Sequence, residues 1–291
     1  MPFLPSQALE SRLSIETNLL LVRRDFLHDS HRASPALIGI IARVHSASTT
    51  RPTLIMLPGL DGSGRLFAPL MAALGSGIEA RAIGYPSDRA LGYAELVDLV
   101  RPQLPADRPY VLLGESFSGP VAIRLAAEHP RGLAGLVLCC TFVRNPCPWL
   151  GWLARPLLRF VPLALLPVAP ACLALAGRDS NAHWRAELKA SLGTQSSAVL
   201  RARIRALLNV DVRKEAAAVD VPVLAMRATR DLVVRAAASR ALLQSLPRAT
   251  PVELDGPHLL LQVASRAAAA ELVRFLAAAP PREASPGAIP G

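Results

Sequence analysis

Short apolar runs alternate with helical patterns along most of this chain, and no other feature of the sequence constrains the fold as strongly. The apolar runs lie at residues 53–57, 80–84, 110–113, 135–140, 221–227 and 251–254. Helical patterns separate them at residues 65–74, 92–103, 117–129, 234–246 and 262–277. Strands that are apolar throughout are buried on both faces, as in parallel sheets covered by helices. The sequence therefore predicts an α/β fold, a mostly parallel sheet flanked by helices, with sites at the carboxyl ends of the strands.

One long stretch interrupts this alternation. Residues 142–220 contain no convincing strand, and they are Pro-rich and apolar at first, then amphipathic and helical. We predict that they form a helical cap inserted between two strands of a core made of residues 36–141 and 221–278. Residues 1–35 would be an N-terminal extension, with residues 36–44 able to form a further strand. Residues 279–291 are rich in Pro, Ala and Gly and are predicted to be a disordered tail.

The net charge of +10 allows two interpretations. It could serve an anionic partner such as nucleic acid or an acidic lipid. It could equally reflect an arginine-rich composition, because lysine occurs only at Lys189 and Lys214. No block of five like charges is present and no aromatic residues are interleaved with the basic ones, so no nucleic-acid partner is predicted. The densest basic run, Arg201, Arg203 and Arg205, is expected on an exposed helix.

Cysteines and apolar segments bear on the compartment. The four cysteines have neither zinc-ligand spacing nor the density of a disulfide framework, which indicates buried thiols in a reducing, cytoplasmic setting. The first ten residues lack a basic and apolar secretory signal. Residues 160–177 carry no charge but contain several prolines, each of which would remove a helix hydrogen bond. A membrane span or surface anchor there is the less favoured interpretation.

The most specific motif joins a strand, a tight turn and a helix at residues 110–130. Its turn reads GESFSG at residues 114–119, and small residues on both sides of the apex let the backbone reverse sharply. Ser116 stands at that apex, where its hydroxyl projects beyond the sheet towards a helix N-terminus. Ser118 is a weaker alternative nucleophile because it lies off the apex.

Three further segments bear on chemistry. The strand at 53–57 ends in a glycine-rich loop, PGLDGSG at 58–64, which lacks the Lys-Ser/Thr of a phosphate-binding P-loop. Asp231 follows the strand at 221–227 and could act in catalysis or cap the helix that begins near residue 234. Asp211 and Asp220 are the alternative candidates for a catalytic acid, but both precede that strand. His258, in a loop before the last helix, is the one histidine of six that follows Asp231.

Together these segments resemble the α/β-hydrolase superfamily, in which Ser, acid and His follow one another in this chain order. The family's nucleophile elbow reads G-x-S-x-G, whereas this chain has serine at 118 and glycine one place later, at Gly119. Pro58 stands where the family has a histidine before the loop glycine. The resemblance implies an α/β-hydrolase fold with a helical cap and an esterase- or lipase-like serine hydrolase.

The resemblance also assigns roles to single residues. Ser116 would be the nucleophile, His258 the general base, and Asp231 the acid that orients the histidine. The backbone N–H groups of Leu60 and Phe117 would form the oxyanion hole. No metal ion and no cofactor is required by this mechanism.

A serine nucleophile is compatible with ester, thioester and amide hydrolysis, so the side chains of the cap would determine which substrate binds. The aliphatic residues of the cap suggest a small-molecule ester or thioester with an apolar acyl group, unless they only pack the cap onto the core. These residues are Leu157, Leu158, Val161, Leu163, Leu165 and Leu166, and three nearby arginines, Arg144, Arg155 and Arg159, could meet an anionic leaving group. An acyltransferase, a perhydrolase, a lysophospholipase acting at a membrane surface and an inactive binding module remain alternatives. The oligomeric state is not predicted.

Overall fold

The computed structural model of this chain describes residues 51–146, 148, 168–179 and 181–279. Within these ranges, six strands form one sheet in the order β2-β1-β3-β4-β5-β6. Every neighbouring pair of strands is parallel. The strands are β1 (Thr53–Leu57), β2 (Ala80–Ala82), β3 (Tyr110–Glu115), β4 (Leu133–Cys139), β5 (Val223–Ala228) and β6 (Ala249–Leu254). The predicted α/β fold with a mostly parallel sheet is confirmed.

Helices connect the strands and cover the sheet. Those before β5 are α1 (Ala68–Leu74), α2 (Tyr93–Val100), α3 (Gly119–Ala127), α4 (Val168–Ala176), α5 (Ala182–Gly193), α6 (Ser197–Leu208) and α7 (Arg213–Ala218). Those after β5 are α8 (Ala236–Ser245), α9 (Leu260–Val263) and α10 (Ser265–Ala278). Short 3-10 turns occupy Arg65–Phe67, Arg101–Gln103, Ser116–Ser118 and Gly177–Asp179.

The four central strands β1, β3, β4 and β5 are buried on both faces, which explains their continuous apolar sequences, whereas the edge strands β2 and β6 are partly exposed. Successive side chains of a strand point to opposite faces. Leu112 of β3 therefore packs in one apolar cluster together with side chains of α2, α3, α7 and α8. Its neighbour Leu113 packs in a second cluster with side chains of α1, α9 and α10. Both leucines are fully buried.

The boundaries of several elements differ from the prediction. The strand expected over 80–84 ends at Ala82, although the Ile83 N–H still bonds to the Met56 carbonyl at 2.9 Å. The helices expected at 65–74 and 117–129 begin with a 3-10 turn, and the α-helix proper has proline in its first turn, the one place where proline suits a helix. The helix expected at 262–277 is two helices, because Ala264 (φ −105°, ψ 35°) is not helical.

The expectation of an exposed basic helix is wrong for one residue. Arg203 of α6 is 1% exposed and is among the largest fully buried side chains of the described residues. Arg205, two positions further along the same helix, is exposed as expected. Arg203 is buried because its guanidinium donates hydrogen bonds to three backbone carbonyls, so its charge is not left without partners.

Several predictions lie wholly or partly outside the described residues. These are the N-terminal extension 1–35, the strand at 36–44, nearly all of the tail 279–291 and, in the segment 142–220, residues 147, 149–167 and 180. Between β4 and β5 the described residues include four helices, α4 to α7. No helix in the described part of the chain is long and apolar enough to cross a membrane. Cys139 and Cys140 are free thiols, and the side chains of both, like that of Cys172, are buried.

Candidate active site

The chain reverses sharply where β3 meets α3, and Ser116 occupies the apex of this turn. Ser116 has a φ of 48°, a left-handed conformation that is uncommon for a residue with a side chain. Gly119, where α3 begins, is required by its surroundings because a Cβ there would overlap the Thr141 side chain. The Thr141 hydroxyl in turn donates a hydrogen bond to the Ser116 carbonyl. The turn is therefore held in a strained geometry that projects the Ser116 side chain.

The alternative nucleophile, Ser118, is engaged elsewhere. Its side chain is fully buried. Its hydroxyl donates to the Pro58 carbonyl and lies 2.5 Å from the Tyr85 hydroxyl. Ser118 thus ties the elbow to the glycine-rich loop after β1 and does not present a free hydroxyl.

Three of the residues singled out in the sequence meet in one hydrogen-bonded chain. Ser116 Oγ lies 2.8 Å from His258 Nε2, and His258 Nδ1 lies 2.8 Å from Asp231 Oδ2. The His258 and Asp231 side chains are 4% and 5% exposed. These residues are 142 and 27 positions apart along the chain, and they come together because parallel strands bring their carboxyl ends to one edge of the sheet.

Asp231 has a structural role in addition to its contact with His258. Its Oδ1 accepts hydrogen bonds from the backbone N–H groups of Val233 (2.8 Å) and Val234 (2.7 Å). It does not cap α8, whose N-cap residue is Arg235. Oδ1 therefore fixes the turn after β5, which leaves Oδ2 directed at the histidine.

The competing aspartates contact other partners. Asp211 pairs with Arg213 at 2.6 Å, and the hydrogen bonds from that guanidinium lower the pKa of Asp211 to about 2. Asp220 Oδ1 lies 3.1 Å from His129 Nδ1. The structure brings neither of them to Ser116 or His258.

The glycine-rich loop lies against the elbow. A Cβ placed on Gly59 would lie 4.0 Å from the Ser116 Cβ. The loop closes on itself through a 3.0 Å hydrogen bond from the Gly62 N–H to the Gly59 carbonyl. The Leu60 N–H takes no part in the backbone hydrogen bonds that close the turns and loops of the described residues, and Phe117 lies in the first turn after the serine. The loop and the elbow are thus neighbours, and the assignment of the Leu60 and Phe117 N–H groups to an oxyanion hole stays a prediction.

The sequence analysis missed Glu115, a buried carboxyl beside the serine. Its Oε1 accepts a 2.8 Å hydrogen bond from Gln262 Nε2. Burial raises the pKa of Glu115 to about 7, and nearby Asp61 adds to the increase, against hydrogen bonds from Gln262 and the Gly59 backbone and the proximity of His258. The available signal was an acidic residue at the end of an otherwise apolar strand, YVLLGE at 110–115, where a buried carboxyl group is unusual.

The raised pKa of Glu115 makes stability depend on pH. Between about pH 4.5 and pH 7 the folded protein holds a proton that the unfolded chain has lost, so the free energy of unfolding falls as pH rises through this window. Glutamine cannot ionise. In Glu115→Gln the decrease in the free energy of unfolding between pH 5 and pH 8 is therefore expected to be smaller than in the wild type by roughly 2–3 kcal/mol. Urea unfolding at both pH values measures it, with Glu187→Gln on α5 as the control. An unchanged pH slope in Glu115→Gln would contradict the assignment.

One group of potential metal ligands includes site residues. Atoms of Cys140, Asp231 and His258 lie within 4.8 Å of one another. Metal binding requires a thiolate, whereas the neighbouring Cys139 thiol and burial raise the pKa of Cys140 well above its ordinary value. Both ring nitrogens of His258 already have hydrogen-bond partners. This group does not fit a metal site, and the absence of a cofactor remains a prediction.

A family model and several known proteins match this chain in sequence. A family model described as serine aminopeptidase, S33, matches residues 87–255. A relative from Caulobacter sp. (strain K31), named "Putative carbamate hydrolase RutD", is 30% identical over 259 residues, which are 82% of this chain and 96% of that protein. A pimeloyl-[acyl-carrier protein] methyl ester esterase from Nitrosomonas europaea is 27% identical over 228 residues, covering 72% of this chain and 89% of the esterase.

Solved structures give the same fold. The enol-lactonase from Burkholderia xenovorans LB400 superposes with a TM-score of 0.68 at 22% identity, over 78% of this chain and 92% of the lactonase. An esterase from Exiguobacterium antarcticum superposes with a TM-score of 0.64 at 15% identity, over 78% and 92% of the two chains. At these identities the likeness concerns the arrangement of strands and helices alone.

Proposed function

Because this chain belongs to the α/β-hydrolase superfamily, in the family described as serine aminopeptidase, S33, we propose that it is a serine hydrolase that cleaves a small carboxylic ester or thioester with an apolar acyl group. The superfamily makes it an esterase-like hydrolase. The observation that carries the more specific proposal is the continuous chain of two 2.8 Å contacts from Ser116 through His258 to Asp231. Such a chain is the arrangement that activates a serine hydroxyl.

Each group has a defined role in the proposed mechanism. His258 Nε2 accepts the Ser116 proton while Oγ forms a bond to the substrate carbonyl carbon. Asp231 fixes the histidine tautomer and stabilises the imidazolium. The Leu60 and Phe117 N–H groups hold the oxyanion as it develops. His258 then donates its proton to the leaving oxygen or sulfur as that bond breaks. A water molecule, deprotonated by His258, then attacks the acyl carbon, and His258 returns the proton to Ser116 Oγ as the bond between Oγ and the acyl carbon breaks.

Apolar side chains next to these residues support an apolar acyl group. The backbone N–H of Leu259, which follows His258, donates to the Leu175 carbonyl of the uncharged helix α4. Leu173 of α4 and Leu232, which follows Asp231, are 57% and 60% exposed. Leu232 follows a residue of the proposed triad in the chain, and its exposed side chain offers apolar surface to an acyl group. We therefore propose that α4 belongs to the cap of residues 142–220 and that this cap contributes to the acyl site.

A series of p-nitrophenyl esters from acetate to palmitate, with acyl thioesters beside it, tests the proposal. We expect kcat/KM to rise by about 10-fold from acetate to butyrate, because each buried methylene contributes about 0.8 kcal/mol. Ser116→Ala, measured on every substrate, gives the uncatalysed background. A series that favours acetate would contradict the apolar acyl group, and no turnover of any ester or thioester would contradict the proposed function.

A further inference from the structure

Arg203 reaches from α6 into the glycine-rich loop after β1, 143 positions away along the chain. Its Nη1 donates to the Leu60 and Asp61 carbonyls, both at 2.9 Å, and its Nη2 donates to the Pro86 carbonyl at 3.1 Å. The guanidinium also lies over the Tyr85 ring, 5.6 Å from its centroid. One side chain of the segment between β4 and β5 thus satisfies two consecutive carbonyls of the loop.

The loop is shaped to admit this guanidinium. Gly62 has a φ of +69°, and a Cβ at that position would overlap the Arg203 guanidinium. The Gly62 carbonyl accepts from the Tyr85 N–H at 2.7 Å. Glycine is therefore needed at 62 both for the backbone conformation and for the space that Arg203 fills.

A second helix of the same segment, α5, contacts the loop through the side chain of the loop residue Asp61. Asp61 is 5% exposed, and its Oδ2 accepts hydrogen bonds from the Ser63 N–H and the Ser63 hydroxyl at 3.0 and 2.5 Å. The Ser191 hydroxyl of α5 donates to the same oxygen at 2.7 Å. The buried Asp61 side chain of the loop and the buried Arg203 guanidinium of α6 thus both hold the loop in place, each with hydrogen-bond partners.

These contacts fix the two peptide groups on either side of the Leu60 Cα. The preceding peptide is held through its Gly59 carbonyl by the Gly62 N–H, and the following peptide is held through the Leu60 carbonyl by Arg203. The Leu60 N–H belongs to the preceding peptide, and the contact of Arg203 with the following peptide restrains rotation about the Leu60 Cα, so that both contacts limit the direction of this N–H. An oxyanion donor is effective only when it is oriented before the charge develops, because no energy is then spent on reorientation.

We propose that Arg203 is a positioning residue for the oxyanion hole, holding the loop so that the Leu60 N–H points at the site where the oxyanion forms. This inference rests on the proposed serine hydrolase function. It couples the helical segment between β4 and β5 to the chemical step, because loss of the α6 contact releases the donor loop. Arg203 touches no reacting atom and acts through Leu60.

Arg203→Met tests this role, with Arg205→Met on the exposed side of the same helix as the matched control. We expect Arg203→Met to lower kcat for the best p-nitrophenyl ester by about 10- to 100-fold with KM changed less than about 2-fold, since complete loss of a donor costs about 100- to 1,000-fold. Arg205→Met is expected to match the wild type in both constants.

The thiono analogue of the same ester separates this role from a general structural one. Sulfur is a weak hydrogen-bond acceptor, so its turnover depends less on oxyanion donors. The ratio of oxo to thiono turnover is therefore expected to fall in Arg203→Met in proportion to its loss of kcat. A folded Arg203→Met, checked by circular dichroism, whose oxo and thiono rates fall equally would overturn the inference.

Arg203→Lys decides the matter if the methionine variant does not fold. It keeps the buried charge, but a single ammonium cannot reproduce the planar guanidinium contacts to all three carbonyls. An intermediate oxo-to-thiono ratio supports the inference, and the wild-type ratio overturns it. Failure of the proposed function is distinguishable, because the wild type itself would then show no ester turnover that depends on Ser116.

Discussion

Ser116→Ala is expected to lower kcat for p-nitrophenyl ester hydrolysis by at least about 10⁴-fold. The substitution removes the oxygen that lies 2.8 Å from His258 Nε2 and leaves no other hydroxyl at the apex of the elbow. The fold should persist, because the contact that braces the turn comes from Thr141 to the Ser116 backbone carbonyl, which alanine retains. Binding should change little, so the loss should appear in kcat and not in KM.

The measurement is steady-state hydrolysis by wild type and variant at equal protein concentration, with thermal unfolding of both as a check on folding. Ser245→Ala is a matched control on α8, where the hydroxyl donates to the Ala241 carbonyl. It should keep wild-type turnover. A Ser116→Ala variant with more than about a hundredth of wild-type kcat would contradict nucleophilic catalysis by this serine.

Asp231→Asn is expected to lower kcat by about 10³- to 10⁴-fold while the protein stays folded. Asparagine keeps a side-chain oxygen that can accept from the Val233 and Val234 N–H groups, so the turn after β5 is preserved. Its amide, however, donates where Oδ2 accepted from His258 Nδ1. The histidine is then pushed into the tautomer that cannot take the Ser116 proton.

This design separates the two roles of Asp231, because only the contact with His258 is reversed. Turnover across pH 6–9 and the free energy of unfolding are measured for both proteins. Asp220→Asn, at an aspartate whose pair is His129, serves as the control and should retain activity. An Asp231→Asn variant that loses stability but keeps its kcat would show that Asp231 only supports the turn.

The sequence predicted the strands and the elbow turn because the residues next to each position indicate whether it is buried and how sharply the chain can turn there. Continuous apolar runs identified the central strands because both faces of the sheet are covered there, as Leu112 and Leu113 illustrate. The strand-turn-helix pattern placed Ser116 at the apex because only small neighbours allow so sharp a reversal. Asp231 and His258 were named through the resemblance to the α/β-hydrolase superfamily, and the structure brings them together because each follows a strand whose carboxyl end lies at the same edge of the sheet; their catalytic roles stay a prediction.

Sequence reasoning failed where partners come from distant parts of the chain. Arg203 was assigned to an exposed basic face, since its burial depends on carbonyls 117 to 143 positions away. Glu115 pairs with Gln262, 147 positions away. An arginine in an amphipathic helix is normally solvated, so the sequence pattern of α6 gave no sign that Arg203 is buried. Whether residues 142–220 act as a cap stays a prediction.

Covalent labelling with a fluorophosphonate tests the central claim most directly, because the reagent reacts with a serine only when a base activates its hydroxyl. Intact-mass measurement of the wild type should show one phosphonyl adduct, and peptide mapping should place it on Ser116. Ser116→Ala should show no adduct, whereas Ser118→Ala should keep it. An unmodified wild type, or an equal adduct on Ser116→Ala, would contradict the claim that Ser116, His258 and Asp231 form a working catalytic triad.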